Sequence, residues 1–102
     1  MHEGTILMFY VYILRSKLDN KLYTGFSSNL KKRIAEHSSG EVESTKNRRP
    51  LELIYYEAYQ EKENALKREK FLTFLPDDGN HGFLSAAIAI PGSRDVVIEL
   101  EV

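Results

Sequence analysis

The segment Phe9-Tyr10-Val11-Tyr12-Ile13-Leu14-Arg15 constrains the fold more than any other stretch of this chain. Aromatic and β-branched residues at this density fit a pleated, packed surface and predict a strand. With a period of two, Tyr10, Tyr12 and Leu14 share one face, while Phe9, Val11 and Ile13 share the other. Both faces are apolar, so the strand must be central and covered on both sides. A chain of 102 residues has room for one such core, and its other elements have to pack against it.

The remaining pattern supplies that cover. Leu18-Asp19-Asn20-Lys21 carries turn chemistry, and Leu22-Tyr23-Thr24-Gly25-Phe26 returns as the second strand of a hairpin. Ser27-Ser28-Asn29 offers caps for a helix with Leu30 and Ile34 as its apolar stripe and Gly40 at its stop. Residues 41–50 lack periodicity, hold Lys46, Arg48 and Arg49, and predict a loop. Residues 51–56 read as a third strand entered through Pro50, where a proline is tolerated. A second helix is expected over residues 61–72, with Ala65, Leu66, Phe71 and Leu72 as core contacts. Pro76-Asp77-Asp78-Gly79 breaks the pattern. Beyond it, residues 83–90 read as a strand or short helix, and residues 96–102 as a strand. The order β-β-α-β-α predicts an α+β domain: a three-stranded, mainly antiparallel sheet with flanking helices. Its expected extent is 9–72, after a lead-in at 1–8 and before an acidic, apolar extension at 73–102.

Composition narrows the function classes. With no cysteine, a disulfide framework and a thiolate zinc site are excluded. His2, His37 and His81 are scattered without metal-ligand spacing. There is neither an apolar run of membrane-spanning length nor a basic-then-apolar leader, so a cytoplasmic protein is expected. The net charge of −1 conceals a division. Through Leu72 there are 13 basic and 10 acidic residues; from Thr73 onward there is one arginine against five acids. The two parts therefore do different jobs, although an imbalance this small is, on charge alone, ordinary surface chemistry.

Four side chains stand out. A strand tyrosine is usually a core residue with its hydroxyl at the rim, and Tyr10, Tyr55, Tyr56 and Tyr59 read that way. Tyr12 and Tyr23 lie on the paired strands, and Gly25, two residues after Tyr23 on the same face, marks a close approach by another group. Arg33 borders the apolar stripe of the first helix, either as a snorkelling side chain or as a guanidinium for phosphate oxygens. Glu69 has Ala65, Leu66 and Leu72 as helical neighbours, which places a carboxylate within the inward stripe. An unpaired buried charge is costly, so Glu69 must pair with a cation such as Arg33, bind a metal, or face an opening. His37, one turn beyond Arg33, reads as a packed or capping histidine rather than a ligand. Phosphodiester hydrolysis needs an activated water, neutralised phosphate charge and a stabilised leaving oxygen, and two phenols, an arginine and a carboxylate match those services.

At these residues the sequence resembles the GIY-YIG nuclease superfamily, particularly small single-domain bacterial members related to the N-terminal nuclease domain of the repair excinuclease. Tyr10-Val11-Tyr12 and Tyr23-Thr24-Gly25 resemble its two name-giving motifs. Residues 28–37 look like its arginine helix, residues 44–55 like its basic loop and third strand, and residues 65–70 like its glutamate helix. The resemblance implies a metal-dependent endonuclease acting on DNA ahead of RNA, with branched or damaged DNA as the expected target and one Mg²⁺ or Mn²⁺ ion. It implies Tyr12 and Tyr23 on the nucleophile side, with Tyr12 as base or water-positioner, Arg33 on the phosphate and Glu69 on the metal. Lys31, Lys32, His37, Lys46, Arg48 and Arg49 are the expected nucleic-acid contacts. Phe26 stands where some members carry a lysine, which would remove a cation able to lower a tyrosine pKa, and after Leu72 the likeness stops. A binding module without catalysis on the same scaffold is the alternative.

Overall fold

A computed structural model describes residues 7–74 and the backbone of the strand 97–100. The residues 83–90, expected as strand or short helix, lie outside that range. Strand β1 (Phe9–Ser16) pairs antiparallel with β2 (Leu22–Ser27) on one side and with β3 (Leu51–Tyr59) on the other. It is therefore the central strand of the expected three. A fourth strand, β4 (Val97–Leu100), adds antiparallel to β3 and gives the order β2-β1-β3-β4. Two helices, α1 (Leu30–Ser38) and α2 (Lys62–Phe74), complete the order β-β-α-β-α before β4.

The register sorts the side chains by face. Tyr12 lies opposite Gly25 and Tyr56, whereas Val11 lies opposite Phe26 and Glu57. On the Val11 face, Val11, Ile13, Tyr55 and Tyr59 pack with Ala65 and Leu72 of α2 into a buried core. The opposite face carries Tyr12 and receives His37 from α1. Burying Val11, Ile13 and Leu72 at roughly 1.5–3 kcal/mol each, together with the two tyrosine rings, helps to oppose the chain entropy of a domain this small.

Local chemistry sets the ends of α1. Asn29 caps it, its side-chain oxygen accepting from the Lys32 amide at 3.2 Å. Gly40 follows the last turn with φ +83°, a left-handed conformation that a side chain would strain. The loop after it contains a single 3-10 turn at Lys46–Arg48 and buries Val42 and Thr45. Its far end is tied to β1, where Ser16 Oγ donates to the Arg48 carbonyl at 2.7 Å.

Three expectations need correction. Leu66 and Phe71 stay 41 % and 42 % exposed, and Arg68 takes the inward place with Ala65 and Leu72. Tyr55 and Tyr59 do not carry their hydroxyls to the rim; both donate to the buried carboxylate of Glu57. Phe26 points away from the tyrosines and stacks on Phe9 at 6.3 Å on the α2 face. A cation in its place would sit behind the sheet, so its absence takes nothing from the Tyr12 environment.

Candidate active site

Tyr12 projects from the middle of β1, fully buried, and leans across the edge strand β2. Its ring lies directly over Gly25: a Cβ there would meet the Tyr12 hydroxyl and ring at 2.3 Å. This is the close approach that the glycine marks in the sequence, and the approaching group is a side chain of the same site. By crossing Gly25, Tyr12 brings its hydroxyl to the sheet margin. There α2, packed on the other face, can also present a side chain.

The hydroxyl is the meeting point. The Arg33 guanidinium stands near enough to favour its ionised form, and Tyr23 and Glu69 lie near enough to oppose it. Tyr12 Oη lies 2.8 Å from His37 Nε2, and His37 Nδ1 lies 2.7 Å from Thr45 Oγ1. The imidazole sits between the two phenols, edge-on to Tyr12 at 5.6 Å and to Tyr23 at 5.3 Å. With the phenol donating to Nε2, the neutral imidazole carries its own proton on Nδ1 and donates it to Thr45.

Burial dominates the protonation states. It pushes the Tyr12 phenol up to about 12, against the pull of Arg33. Burial, with Arg33 adding to it, holds His37 below the usual histidine value, so the imidazole is neutral at pH 7. The Glu36 carboxylate beside Arg33, at 3.0 Å, and then Tyr12 hold the guanidinium firmly charged.

Glu69 decides between the alternatives left open by the sequence. Arg33 pairs with Glu36 rather than with Glu69. Among the described residues the Glu69 carboxylate forms no ion pair and no hydrogen bond, although the residue is half-buried. A half-buried carboxylate without a partner among the described residues, near enough to Tyr12 to act on its charge, fits a hard cation that takes oxygen ligands. Among the described residues no group of three or more His, Asp or Glu could hold a metal, so such an ion would draw its other ligands from water or substrate.

The expected nucleic-acid contacts divide. Lys31 and Lys32 are exposed on the first turn of α1, Lys32 making only a loose contact with Glu36 at 3.9 Å. Lys46 pairs with Glu43 at 3.2 Å. Arg48 donates to the Leu22 carbonyl and approaches Asp19, and Arg49 donates to the carbonyls of Lys46 and Ser38, so both help hold the loop. His37 is a correction: at 1 % exposure it cannot touch nucleic acid, and it belongs to the Tyr12 network instead. Its spacing of one helical turn from Arg33 was the available signal. Thr45 carried no signal of its own. An open cavity of about 540 Å³ lies on the α1 side beyond Tyr10, Leu30 and Tyr56, and none of Tyr12, Tyr23, Arg33, His37 or Glu69 lines it. The polar side chains of its wall, Ser28, Asn29 and Lys31, include no carboxylate or imidazole, so we locate the chemistry at the Tyr12 network instead.

The α+β sheet thus carries two phenols and a guanidinium around one buried imidazole, with a carboxylate on α2 that is unpaired among the described residues. Residues 8–74 match the family model described as the GIY-YIG catalytic domain, and the chain belongs to that family. The family implies a nuclease acting on nucleic acid. The chain is similar to a UPF0213 protein of Staphylococcus haemolyticus, 48 % identical over 61 residues that cover 59 % of this chain and 73 % of the relative. It is also similar to one of Clostridium perfringens, 44 % identical over 69 residues covering 67 % and 73 %. The solution NMR structure of the UPF0213 protein of Bacillus halodurans is 32 % identical, with a TM-score of 0.51 over 78 % of this chain and 85 % of that one. No helix among the described residues is long and apolar enough to cross a membrane.

Proposed function

We propose that this chain is a metal-dependent endonuclease that hydrolyses phosphodiester bonds in DNA, with Tyr12, Tyr23, Arg33 and Glu69 as catalytic residues. The observation that carries this reading is the seat of the Tyr12 hydroxyl, over Gly25 and 2.8 Å from His37 Nε2, with Tyr23 against the same imidazole and with Arg33 and Glu69 near enough to act on it. These residues come from β1, β2, α1 and α2, and no packing requirement of the sheet gathers them.

Arg33 keeps its charge and remains 38 % exposed, so it can offer further donors to phosphate oxygens as negative charge grows. A phenol held near 12 is not ionised at neutral pH, so Tyr12 does not act as a free phenolate. It acts with His37. As the phenolic oxygen takes a proton from the attacking water, the phenol's own proton passes to the neutral Nε2, and Thr45 keeps the ring aligned. Because Tyr12 is sealed from solvent, water reaches it past Tyr23 and Arg33, which form the partly exposed rim. Glu69 would hold one Mg²⁺ or Mn²⁺ ion, which supplies charge neutralisation at the leaving oxygen when bound. Few described side chains remain to read base edges, so the substrate is selected by structure, such as a branch or a damaged site, rather than by sequence. A cytoplasmic location follows from that substrate.

Nicked, flapped and duplex DNA incubated with the protein and Mg²⁺ or Mn²⁺ supply the test. Wild type cuts, and Glu69→Gln and Arg33→Ala each cut roughly 100- to 1000-fold more slowly while remaining folded. Variants that cut like wild type would remove the site assignment. Salt-dependent binding by an inert wild type would make the chain a binding module.

A further inference from the structure

We infer that the buried Glu57–Arg68 pair is a positioning device that sets the rotation of α2 and thereby the place of Glu69 relative to Tyr12. The inference rests on the reading of Glu69 as the metal-holding residue and adds how the fold puts it there.

A helix normally finds its orientation from an apolar stripe. α2 has none. Each residue turns the helix by about 100°, and the apolar side chains of α2 are spread around the circumference. Ala65 and Leu72 point inward, but Leu66, Phe71 and Phe74 remain 41 %, 42 % and 76 % exposed. The third inward residue is Arg68, only 5 % exposed. Its Nε donates to both carboxylate oxygens of Glu57, at 2.9 and 3.1 Å, and its second terminal nitrogen donates to Oε2 at 2.8 Å. Phe71 lies against the guanidinium at 5.4 Å.

Glu57 is itself immobilised. It has no exposed surface, and it accepts from Tyr55 and from Tyr59, the latter at 2.6 Å. Its acceptor sites are filled by two phenols and one planar fork, a geometry that admits one placement of Arg68. Both ends of the pair adjoin the site. Glu57 pairs across the sheet with Val11, the residue before Tyr12, and Arg68 is the residue before Glu69. The separation of Tyr12 and Glu69 is therefore transmitted through the sheet by one ion pair with a covalent neighbour at each end. Stability does not require this. A well-packed apolar pair in place of a buried ion pair is often neutral or stabilising, and the attested use of such pairs is to specify one arrangement.

The test uses the full chain and a double variant, Glu57→Gln/Arg68→Met. It removes both charges at nearly constant volume and leaves an amide oxygen for the tyrosine hydroxyls. Four proteins are compared: wild type, Glu69→Gln, the double variant and the triple variant. They are measured for thermal midpoint, for DNA cleavage, and for Mn²⁺ broadening of the Tyr12 and Tyr23 ring signals in NMR. The expected double variant melts within a few degrees of wild type, cuts roughly 10- to 100-fold more slowly, and loses most of the Mn²⁺ effect on both rings. In the Glu69→Gln background it costs nothing further, because both changes disable one side chain.

A double variant that cuts and binds Mn²⁺ like wild type, or losses that multiply in the triple variant, would overturn the positioning role and leave the site reading intact. Wild-type cleavage by Glu69→Gln alone would remove the site reading, and this inference with it. Should the double variant not fold, Arg68→Lys decides the matter. It keeps the charge but not the fork, and unchanged cleavage and Mn²⁺ broadening in that variant would overturn the inference.

Discussion

Each face of the central sheet carries a buried polar cluster, and the two differ in what they leave unfilled. On the α2 face Glu57 receives Tyr55, Tyr59 and the fork of Arg68, all hidden from solvent. On the α1 face Tyr12, His37 and Thr45 are as deeply buried, but their chain of hydrogen bonds is flanked by Arg33, Tyr23 and Glu69, which are partly exposed. A closed cluster holds elements in one geometry and has no valence left for a ligand. An open one keeps charge and donors in reserve at its mouth. The same residue types, phenols with an arginine and a glutamate, are thus put to holding on one side and fitted for chemistry on the other.

Breaking the closed cluster should cost the most. Glu57→Ala removes the carboxylate that balances the Arg68 charge in the core, and chemical denaturation should show a loss of about 3–5 kcal/mol. A loss below about 1 kcal/mol would mean that the cluster is not closed in solution. At the open cluster, Gly25→Ala should be milder in stability, about 1–3 kcal/mol, because a methyl group must displace the Tyr12 ring from its seat. Its cleavage rate should fall along with that of Tyr12→Phe, whereas full-rate cutting by the Gly25→Ala variant would show that the ring need not cross β2.

The smallest effect is a pH dependence. His37 resists protonation in the folded protein but accepts a proton near 6.5 once unfolded. Its contribution to stability is therefore intact above about 6.5 and is lost as pH falls toward the lower folded-state value. Urea midpoints should drop through that window for wild type, and His37→Gln should flatten the drop. Equal slopes in the two proteins would place the imidazole in water.

Much of the fold was legible in local pattern. Alternation with two apolar faces marked β1 as central, Asn29 and Gly40 bounded α1, and the hairpin followed from its turn residues. The candidate site was legible as residue types: the motifs pointed to Tyr12, Tyr23, Arg33 and Glu69. The errors fell where an apolar count stands in for orientation. Leu66 and Leu72 look alike in sequence, yet one is exposed and the other is core. Glu57 shares β3 with a second glutamate, Glu52, and nothing local sets it apart, because its partner lies eleven positions away on another element.

The chain by itself determined which segments extend, which coil and which chemical groups are available, because strand alternation, caps and turn residues act over a few neighbours. Only the tertiary structure decided that His37 joins Tyr12 across 25 positions, that Gly25 seats a phenol, and that Arg68 rather than Leu66 turns inward. Those outcomes depend on which buried donors find acceptors once two helices close on opposite faces of one sheet. No periodicity along the chain encodes that matching.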